Sequence, residues 1–549
     1  MNELLTAAQM RAIESAAIES GNESGLELME RAGRGVITAL FDEWPDLGAA
    51  PHRAVVFCGP GNNGGDGYVV ARLLKEWGWE VEVFAYGNTG KLPPDAKVNY
   101  QRWAQLGQVH ELFDVDCADR LALFEETCSK IREFAPKLIV DALFGTGVKR
   151  ALPPVLKALV ENRFERLRSG ERLAEFRVIA VDVPSGLCSD SGRALVDPAG
   201  DAQAVSVTAD LTVSFHRKKL CHVLADGGLS CAHVKVSDIG LDPRSRAPNQ
   251  LVEDGLPLSN EVVRLLSRPS LELAKHASAH KYSHGHALIL TGGFGKTGAA
   301  RLAGRGALRI GAGLVTLGVP GAAQLEVASQ VTGLMLTRAG TAEELSKVLE
   351  DARINALCLG PGMGVERARA LVEVALGGER SRPTVLDADA LSAFVEEPEA
   401  LFAMLHAGCV LTPHGGEFKR LFPDIATKLE APAIRGPAFS KVDATREAAA
   451  RAGCVVLFKG ADTVIAAPDG QCAINSAFDD RSAPWLATAG SGDVLAGFVT
   501  GLLARGFDTM KAAETAAWLH VECALSFGPG LIAEDIPEQL PKVLSVLKD

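Results

Sequence analysis

The sequence predicts two α/β domains in series, each a mainly parallel sheet with helices on both faces. Three observations carry this. Short apolar runs alternate with helical stretches in two separate series, the pattern of strand–helix–strand units. Turn-forming residues follow those runs, and the chain holds 56 glycines, the residue that best suits tight strand-to-helix turns. At 549 residues the chain exceeds what a single hydrophobic core supports.

In chain order, the first fifty residues read as helices. Leu26, Met29, Ala32, Val36 and Leu40 recur at three- and four-residue steps and give one apolar face. From residue 54 the pattern changes to strands: AVVF (54–57), VEVF (81–84), KLIVDALF (137–144), VIAVDVP (178–184) and LTVSF (211–215). Residues 241–260 are rich in proline and polar side chains without a sustained period, and read as a linker. A second series follows, at 286–293, 313–319, 356–362, 384–390, 409–414 and 454–460. The two series carry different motifs, which predicts a fusion of unlike domains rather than a duplication. Met335, Trp485 and the other aromatics are assigned to core packing.

Composition excludes several classes. A formal net charge of −12 disfavours broad binding to nucleic acid or anionic membranes, both of which need clustered positive charge. The short basic stretch His216, Arg217, Lys218, Lys219 reads as a solvated edge in preference to a phosphate contact. The first residues lack the basic and apolar regions of a secretory leader, and no run approaches the roughly 18 apolar residues that span a bilayer. The 11 cysteines include no CxxC pair, so buried thiols in a reducing cytosol are expected instead of disulfides or a zinc site.

The first chemical motif is GPGNNGGDG, which follows the run at 54–57 and opens a helix. Gly59, Gly61 and Gly64 fit GxGxxG, with Glu80 and Glu82 near the place of a ribose-binding acid. The match is weak alone, and Pro60 with the polar group Asn62, Asn63 and Asp66 sets the loop apart from a dinucleotide fingerprint. Exposed amides at such a helix start attract phosphate. Two more polar loops follow apolar runs, one from Asp141 to Gly147 with Lys149 and Arg150, the other holding Asp182, Ser185 and Gly186. Loops at strand carboxyl ends converge on a crevice, and Asn63, Asp141 and Ser185 offer oxygens that a hard cation prefers. Any one of these aspartates alone would be a turn or cap residue.

In this order and spacing, GPGNNGGDG, VDALFGTG and VDVPSGL resemble the NAD(P)H-hydrate epimerase family over residues 5–240. The resemblance implies a Rossmann-like three-layer domain that interconverts the R and S epimers at the hydroxyl-bearing carbon of the hydrated nicotinamide. It implies contact with the hydrated dinucleotide by Asn62, Asn63, Gly64, Gly65 and Asp66, by Gly145, Thr146, Gly147, Val148, Lys149, Arg150 and Ala151, and by Asp182. It also implies a potassium ion at Asn63, Asp141 and Ser185. Asp182 is the residue we expect to move the proton as the ring hydroxyl is lost and regained, with potassium ordering the loops.

The second half is dominated by ATAGSGDVLAG (487–497), a glycine–serine–glycine turn running into an apolar helix with Asp493 at its start. Its amides and the helix dipole form an anion hole, and a carboxylate beside that hole can deprotonate a hydroxyl. Read singly, Asp493 is a helix cap. Lys459 ends an apolar strand, where it either neutralises phosphate or snorkels to solvent. The stretch GGFGKTGAARLAG lacks P-loop spacing, which disfavours a Walker-type NTPase. GPGMG (360–364), DAD (387–389) and TPHGGEF (412–418) complete the set. His414, between proline and two glycines, is expected to face a ligand.

Together these motifs resemble the nucleotide-dependent NAD(P)H-hydrate dehydratases, a ribokinase-like family, over about residues 265–545. The resemblance implies that Ala299, Gly364, His414 and Asp493 contact the hydrated cofactor. Lys459, Gly460, Ala461, Asp462, Thr463 and Gly492 would contact the adenine nucleotide. The segment FDDRSAPWLATAG departs from the asparagine-, proline- and glycine-rich stretch usual before the GSGD turn. ADP is the donor implied by likeness to bacterial members, with magnesium expected from the phosphate chemistry. The S epimer would be dehydrated to NADH or NADPH with release of AMP and phosphate. The boundaries expected are 1–240 for the epimerase domain, 241–260 for the linker and 261–549 for the dehydratase domain. The partners expected are NADHX, NADPHX and further copies of the chain, with neither nucleic acid nor membrane. A small-molecule kinase or a non-catalytic dinucleotide sensor are the competing readings. A kinase leaves the first domain unexplained and would yield a stable phosphorylated product.

Overall fold

The computed structural model describes residues 2–21, 23–112, 117–160, 176–198, 204–241, 262–269, 273–275, 279–378 and 380–547. The expected linker therefore lies outside the described residues, but for Leu241. The chain divides into two compact units, Glu3–Val262 with Ala431–Ser440, and Val263–Glu430 with Lys441–Asp549. Both have the α/β class expected.

In the first unit a seven-stranded parallel sheet runs in the order Val109–Leu112, Glu80–Tyr86, Arg53–Cys58, Leu138–Ala142, Arg177–Val181, Leu211–Phe215, His233–Ser237. In chain order this is 3-2-1-4-5-6-7, the doubly wound arrangement whose direction reverses between the first and fourth strands. Alternate side chains of a strand point to opposite faces. Ala54, Val56 and Cys58 enter one core with Val36, Leu40 and Val69, while Val55 and Phe57 enter the other with Val155 and Leu156. Burial on both faces makes the strand read as an unbroken apolar run, the mark of a sheet covered on each side. The helix Gly25–Glu43 covers one face with the predicted positions Met29, Ala32, Val36 and Leu40, joined by Leu28. Leu26 does not join that buried stripe. At the reversal point Gly59 N–H donates to Ala142 O at 3.0 Å, and a Cβ on Gly59 would overlap the Leu143 carbonyl. Only glycine lets these two loops meet.

Glu3–Leu5 pairs in parallel with Lys218–Lys219 outside that sheet. The basic stretch at 216–219 is therefore not a solvated edge. His216, Arg217 and Lys219 are buried, and Lys219 is 0% exposed, because its ammonium has partners inside the fold. Residues 431–440 also belong to this unit. Val196 N–H donates to Ala433 O at 3.0 Å and Gly436 N–H to Lys149 O at 3.2 Å.

The second unit carries ten sheet strands among the described residues. Their order is Met335–Arg338, Leu314–Val319, His286–Leu290, Ala356–Leu359, Thr384–Leu386, Cys409–Leu411, Val455–Phe458, Asp462–Ala466, Cys472–Ser476 and Val263–Leu265. Pairing is parallel apart from the Val455–Ser476 meander, which is antiparallel. Helices Gly298–Arg309, Ser491–Ala504 and Thr509–Phe527 bring Ala303, Ala307, Phe498, Leu502 and Leu519 into the core. Met335 and Trp485 are 54% and 48% exposed, so neither is a core residue: the first lies on the edge strand and the second in a short helical turn ahead of Ser491. Ten cysteines are buried thiols. Among the described residues no helix is long and apolar enough to cross a membrane.

Candidate active sites

In the first unit the three predicted loops all leave carboxyl ends of strands near the reversal point. Asp141 closes Leu138–Ala142 from inside: its carboxylate accepts from Ser185 Oγ at 2.6 Å, Ser185 N–H at 2.8 Å and Leu143 N–H at 3.2 Å. Burial pushes it up to about 6, against the lowering by those three donors. Ser185 Oγ also accepts from Phe144 N–H at 2.9 Å. Asn63 stands by the next loop, with Oδ1 2.9 Å from where a Cβ on Gly145 would sit, and its buried Nδ2 has no partner among the described residues. Asn63, Asp141 and Ser185 thus line adjoining loops. Gly64 and Gly65 are buried in the first turns of Asn62–Glu76, Asp66 is half-buried and Asn62 exposed. Of the second loop, Gly147, Lys149 and Arg150 are exposed, and Gly145, Thr146, Val148 and Ala151 are half-buried.

Asp182 follows Arg177–Val181 and holds φ +65°. Val183 N–H donates to Val181 O across it at 2.9 Å, which makes a γ-turn of the rare positive-φ kind. Such a conformation costs about 1–3 kcal/mol and persists only where the surroundings impose it. The surroundings here were not legible in the motifs. Lys219 Nζ donates to Asp182 Oδ1 at 2.7 Å, to Ser214 Oγ at 2.9 Å and to Phe215 O at 2.9 Å. His222 Nδ1 accepts from Lys219 N–H at 2.9 Å, so its Nε2 carries the proton given to Asp182 O at 2.9 Å. Two more carboxyls face the group. Glu14, on Ala7–Glu19, and Asp66 are both raised, first by burial and next by the charge of Asp182.

In the second unit the motif loops also gather at strand carboxyl ends. Ser491–Ala504 starts from Gly490 at φ +90°, a left-handed position that favours glycine. Asp493 lies in the first turn. Lys459 Nζ lies 3.4 Å from where a Cβ on Gly492 would sit, and donates to Asp387 Oδ1 at 2.7 Å. Thr412 Oγ1 donates to the same oxygen at 2.8 Å. Glu417 Oε2 is 3.9 Å from the ammonium. The first turn of the helix Gly298–Arg309 holds Ala299, whose Cβ is 3.6 Å from where a Cβ on Gly362 would sit. Gly364 N–H donates to Asp389 Oδ2 at 2.8 Å. Ala299, Gly364, Lys459, Gly492 and Asp493 are thus linked through neighbouring contacts.

His414 is joined to the cluster through Glu417, which accepts from its N–H at 2.8 Å. Its Nδ1 accepts from Gly416 N–H at 3.0 Å and its ring is more than half exposed. Gly460 and Ala461 are exposed, while Thr463 Oγ1 closes the loop on Gly460 O at 2.7 Å. Asp462 is held by Lys441 Nζ at 2.6 Å, a lysine that the motifs did not reveal.

Burial pushes Asp493 up to about 6, reinforced by Asp387 and opposed by Lys459. Burial alone would lower Lys459, but Asp387 and Glu417 outweigh it and the ammonium is raised. His520 donates from Nε2 to Ser491 O at 2.9 Å and is lowered to about 4 by burial. A neutral imidazole therefore fixes the turn without adding charge.

A family model described as NAD(P)H-hydrate dehydratase matches residues 287–541, and one described as YjeF-related protein N-terminus matches residues 25–221. Over its full length the chain is similar to the bifunctional NAD(P)H-hydrate repair enzyme of Moorella thermoacetica, at 34% identity over 562 residues, covering 100% of this chain and 97% of that protein. The enzyme of the same description from Salinibacter ruber is 32% identical over 561 residues, covering 98% and 96%. An NAD(P)H-hydrate epimerase of Roseobacter litoralis is 43% identical over 253 residues, covering 44% of this chain and 100% of that protein. A solved structure of the ADP/ATP-dependent NAD(P)H-hydrate dehydratase from Bacillus subtilis, co-crystallised with ATP and magnesium, is 28% identical. It covers 50% of this chain and 94% of that one, with a TM-score of 0.41.

Proposed function

Because the chain belongs to the family of bifunctional NAD(P)H-hydrate repair enzymes, we propose that its two sites perform consecutive steps on one damaged cofactor. The chain is an NAD(P)H-hydrate epimerase and an NAD(P)H-hydrate dehydratase, an isomerase and a lyase in one polypeptide. We assign residues 1–240 to the first activity and 261–549 to the second.

In the epimerase site the hydrated dinucleotide lies against residues 62–66 and 145–151, with its reacting carbon at Asp182. The ring hydroxyl takes a proton and leaves as water while the nitrogen lone pair forms the C=N bond. Water then returns to the other face and gives its proton back, with Asp182 as carrier. The side-chain oxygens of Asn63, Asp141 and Ser185, on adjoining loops, are hard donors of the kind that suits a potassium ion. These three residues would hold it, and its charge would order the loops.

In the dehydratase site Asp493 takes the proton of the S-hydrate hydroxyl, whose oxygen bonds the β-phosphorus of ADP as AMP leaves. Phosphate then departs with the C–O electron pair, pushed by the ring nitrogen, and loss of the neighbouring carbon's proton restores NADH or NADPH. Hydroxide leaves such a ring poorly, and phosphate leaves well. Lys459 and the amides of the Gly490–Asp493 turn offset charge on the transferring group. Asp387, Glu417 and Asp493 act on Lys459, and Asp389 acts on Asp493, hard oxygens of the kind magnesium takes. Asp387 and Asp389 would hold that ion, and it would neutralise the nucleotide phosphates. The observation that carries the reading is the carboxylate Asp493 set in an anion hole with an ammonium beside it.

The reading extends to a cytosolic location, which the buried thiols support, and to a homo-oligomer. Absorbance at 340 nm, after adding the protein to mixed-epimer NADHX, tests both activities. Full recovery of NADH with ADP, and none without nucleotide, is expected. Recovery with ATP alone would overturn the choice of donor. No recovery with either nucleotide, and a stable phosphorylated product instead, would favour a kinase.

A further inference from the structure

Lys219 has no assigned role, yet it is the most completely buried charged group in contact with the epimerase site: 0% exposed, with each of its three ammonium protons on an acceptor. An ammonium is rarely buried unless paired, and one held at this depth needs a reason. Its ion-pair partner is Asp182, at 2.7 Å. The contact engages Oδ1 alone. Ser214 Oγ lies 3.2 Å from that same oxygen, while Oδ2 has no hydrogen bond among the described residues.

The backbone repeats the arrangement. Asp182 N–H donates to Val213 O at 2.8 Å, and a second positive-φ γ-turn at His216, closed by Arg217 N–H on Phe215 O at 2.7 Å, swings the chain back so that Lys219 meets Asp182. His222 then ties the Lys219 amide to the Asp182 carbonyl. Two sequence-adjacent strands thus spend two strained turns on bringing one lysine to one carboxylate oxygen.

We propose that Lys219 is a positioning residue for the epimerase: it assigns the negative charge to Asp182 among the three neighbouring carboxyls and immobilises Oδ1, leaving Oδ2 as the atom that exchanges the proton. Glu14 and Asp66 face Asp182 from the helices Ala7–Glu19 and Asn62–Glu76, and both are raised in part by its charge. His222 is a neutral tether. Each turnover passes one proton of the cluster through Oδ2 to the departing hydroxyl and takes one back through Oδ2 from returning water, so the cluster ends as it began.

The inference rests on the reading of Asp182 as the proton carrier, and the test separates the two. In the full chain, Lys219→Met is expected to lower epimerase kcat at least 100-fold, with KM within twofold and ADP-dependent dehydration of the S epimer unchanged. The acid limb of the epimerase pH profile moves to higher pH, because the charge favouring ionisation is gone. A merely structural lysine would leave that limb in place. If Lys219→Met fails to fold, Ser214→Ala decides, with an expected fall in kcat of about tenfold at constant KM. Lys219→Met or, where that variant does not fold, Ser214→Ala with wild-type kcat, beside an inactive Asp182→Asn, overturns the role of Lys219. A fully active Asp182→Asn overturns the underlying reading instead.

Discussion

Asp493→Asn abolishes nucleotide-dependent recovery of NADH, lowering kcat for dehydration by 10³-fold or more, while epimerisation of the remaining hydrate proceeds at the normal rate. The amide keeps the shape and the helix-start position but cannot accept the hydroxyl proton, and a positioned general base contributes about 10²–10⁴-fold. The wild-type enzyme has a matching pH dependence. Burial and Asp387 push Asp493 up to about 6, and the base acts in its ionised form. Dehydration should fall to half near pH 6 and tenfold per unit below that, and the variant should lack this limb. Stability behaves in the opposite sense. A carboxyl raised above its unfolded value binds its proton better in the folded state, so stability is greatest at low pH and declines as pH rises through about 6. The neutral amide removes that penalty, and Tm of the variant at pH 7.5 should equal or exceed wild type. A lower Tm would mean that the carboxylate is structural, with activity lost through unfolding.

Strands buried on both faces were legible because both sets of alternating side chains must be apolar, as at Ala54 to Cys58. Edge strands were not. Val109–Leu112 (VHEL) and His233–Ser237 (HVKVS) have one neighbour each and interleave polar with apolar residues, which erases the run. The meander Asp462–Ala466 and Cys472–Ser476 is buried but short. The glycine-rich loops were legible because close approaches such as Gly59 to Leu143 leave no room for a side chain. What stayed hidden was the support behind the motif residues. Lys219, Ser214, Glu14, Lys441 and His520 come from other elements and form no pattern with the residues they hold. Lys219 was misleading as well as hidden: a lysine among His216, Arg217 and Lys218 looks solvated until the fold supplies Asp182.

Asp182→Asn has the largest expected effect on the first activity, and its signature differs from that of Asp493→Asn. With mixed-epimer NADHX and ADP, recovery should be rapid for the S fraction and then stall at the rate of spontaneous epimerisation. The variant also strands Lys219. Breaking a buried pair by removing one partner costs about 3–5 kcal/mol, because the remaining charge stays buried without compensation, and Lys219 is 0% exposed. The first unit should therefore melt earlier, whereas Asp493→Asn loses no stability. Activity loss and destabilisation can be separated by the double variant Asp182→Asn/Lys219→Met, which removes both charges at once. Replacing both members of a buried pair is often close to neutral, so this protein should recover most of the lost Tm and still epimerise no faster than Asp182→Asn. Recovery of Tm together with epimerase activity would mean that the carboxylate only compensates the lysine, and would strip Asp182 of its chemical role. Recovery of Tm alone separates the two contributions of one oxygen pair: Oδ1 holds the fold together through Lys219, and Oδ2 moves the proton.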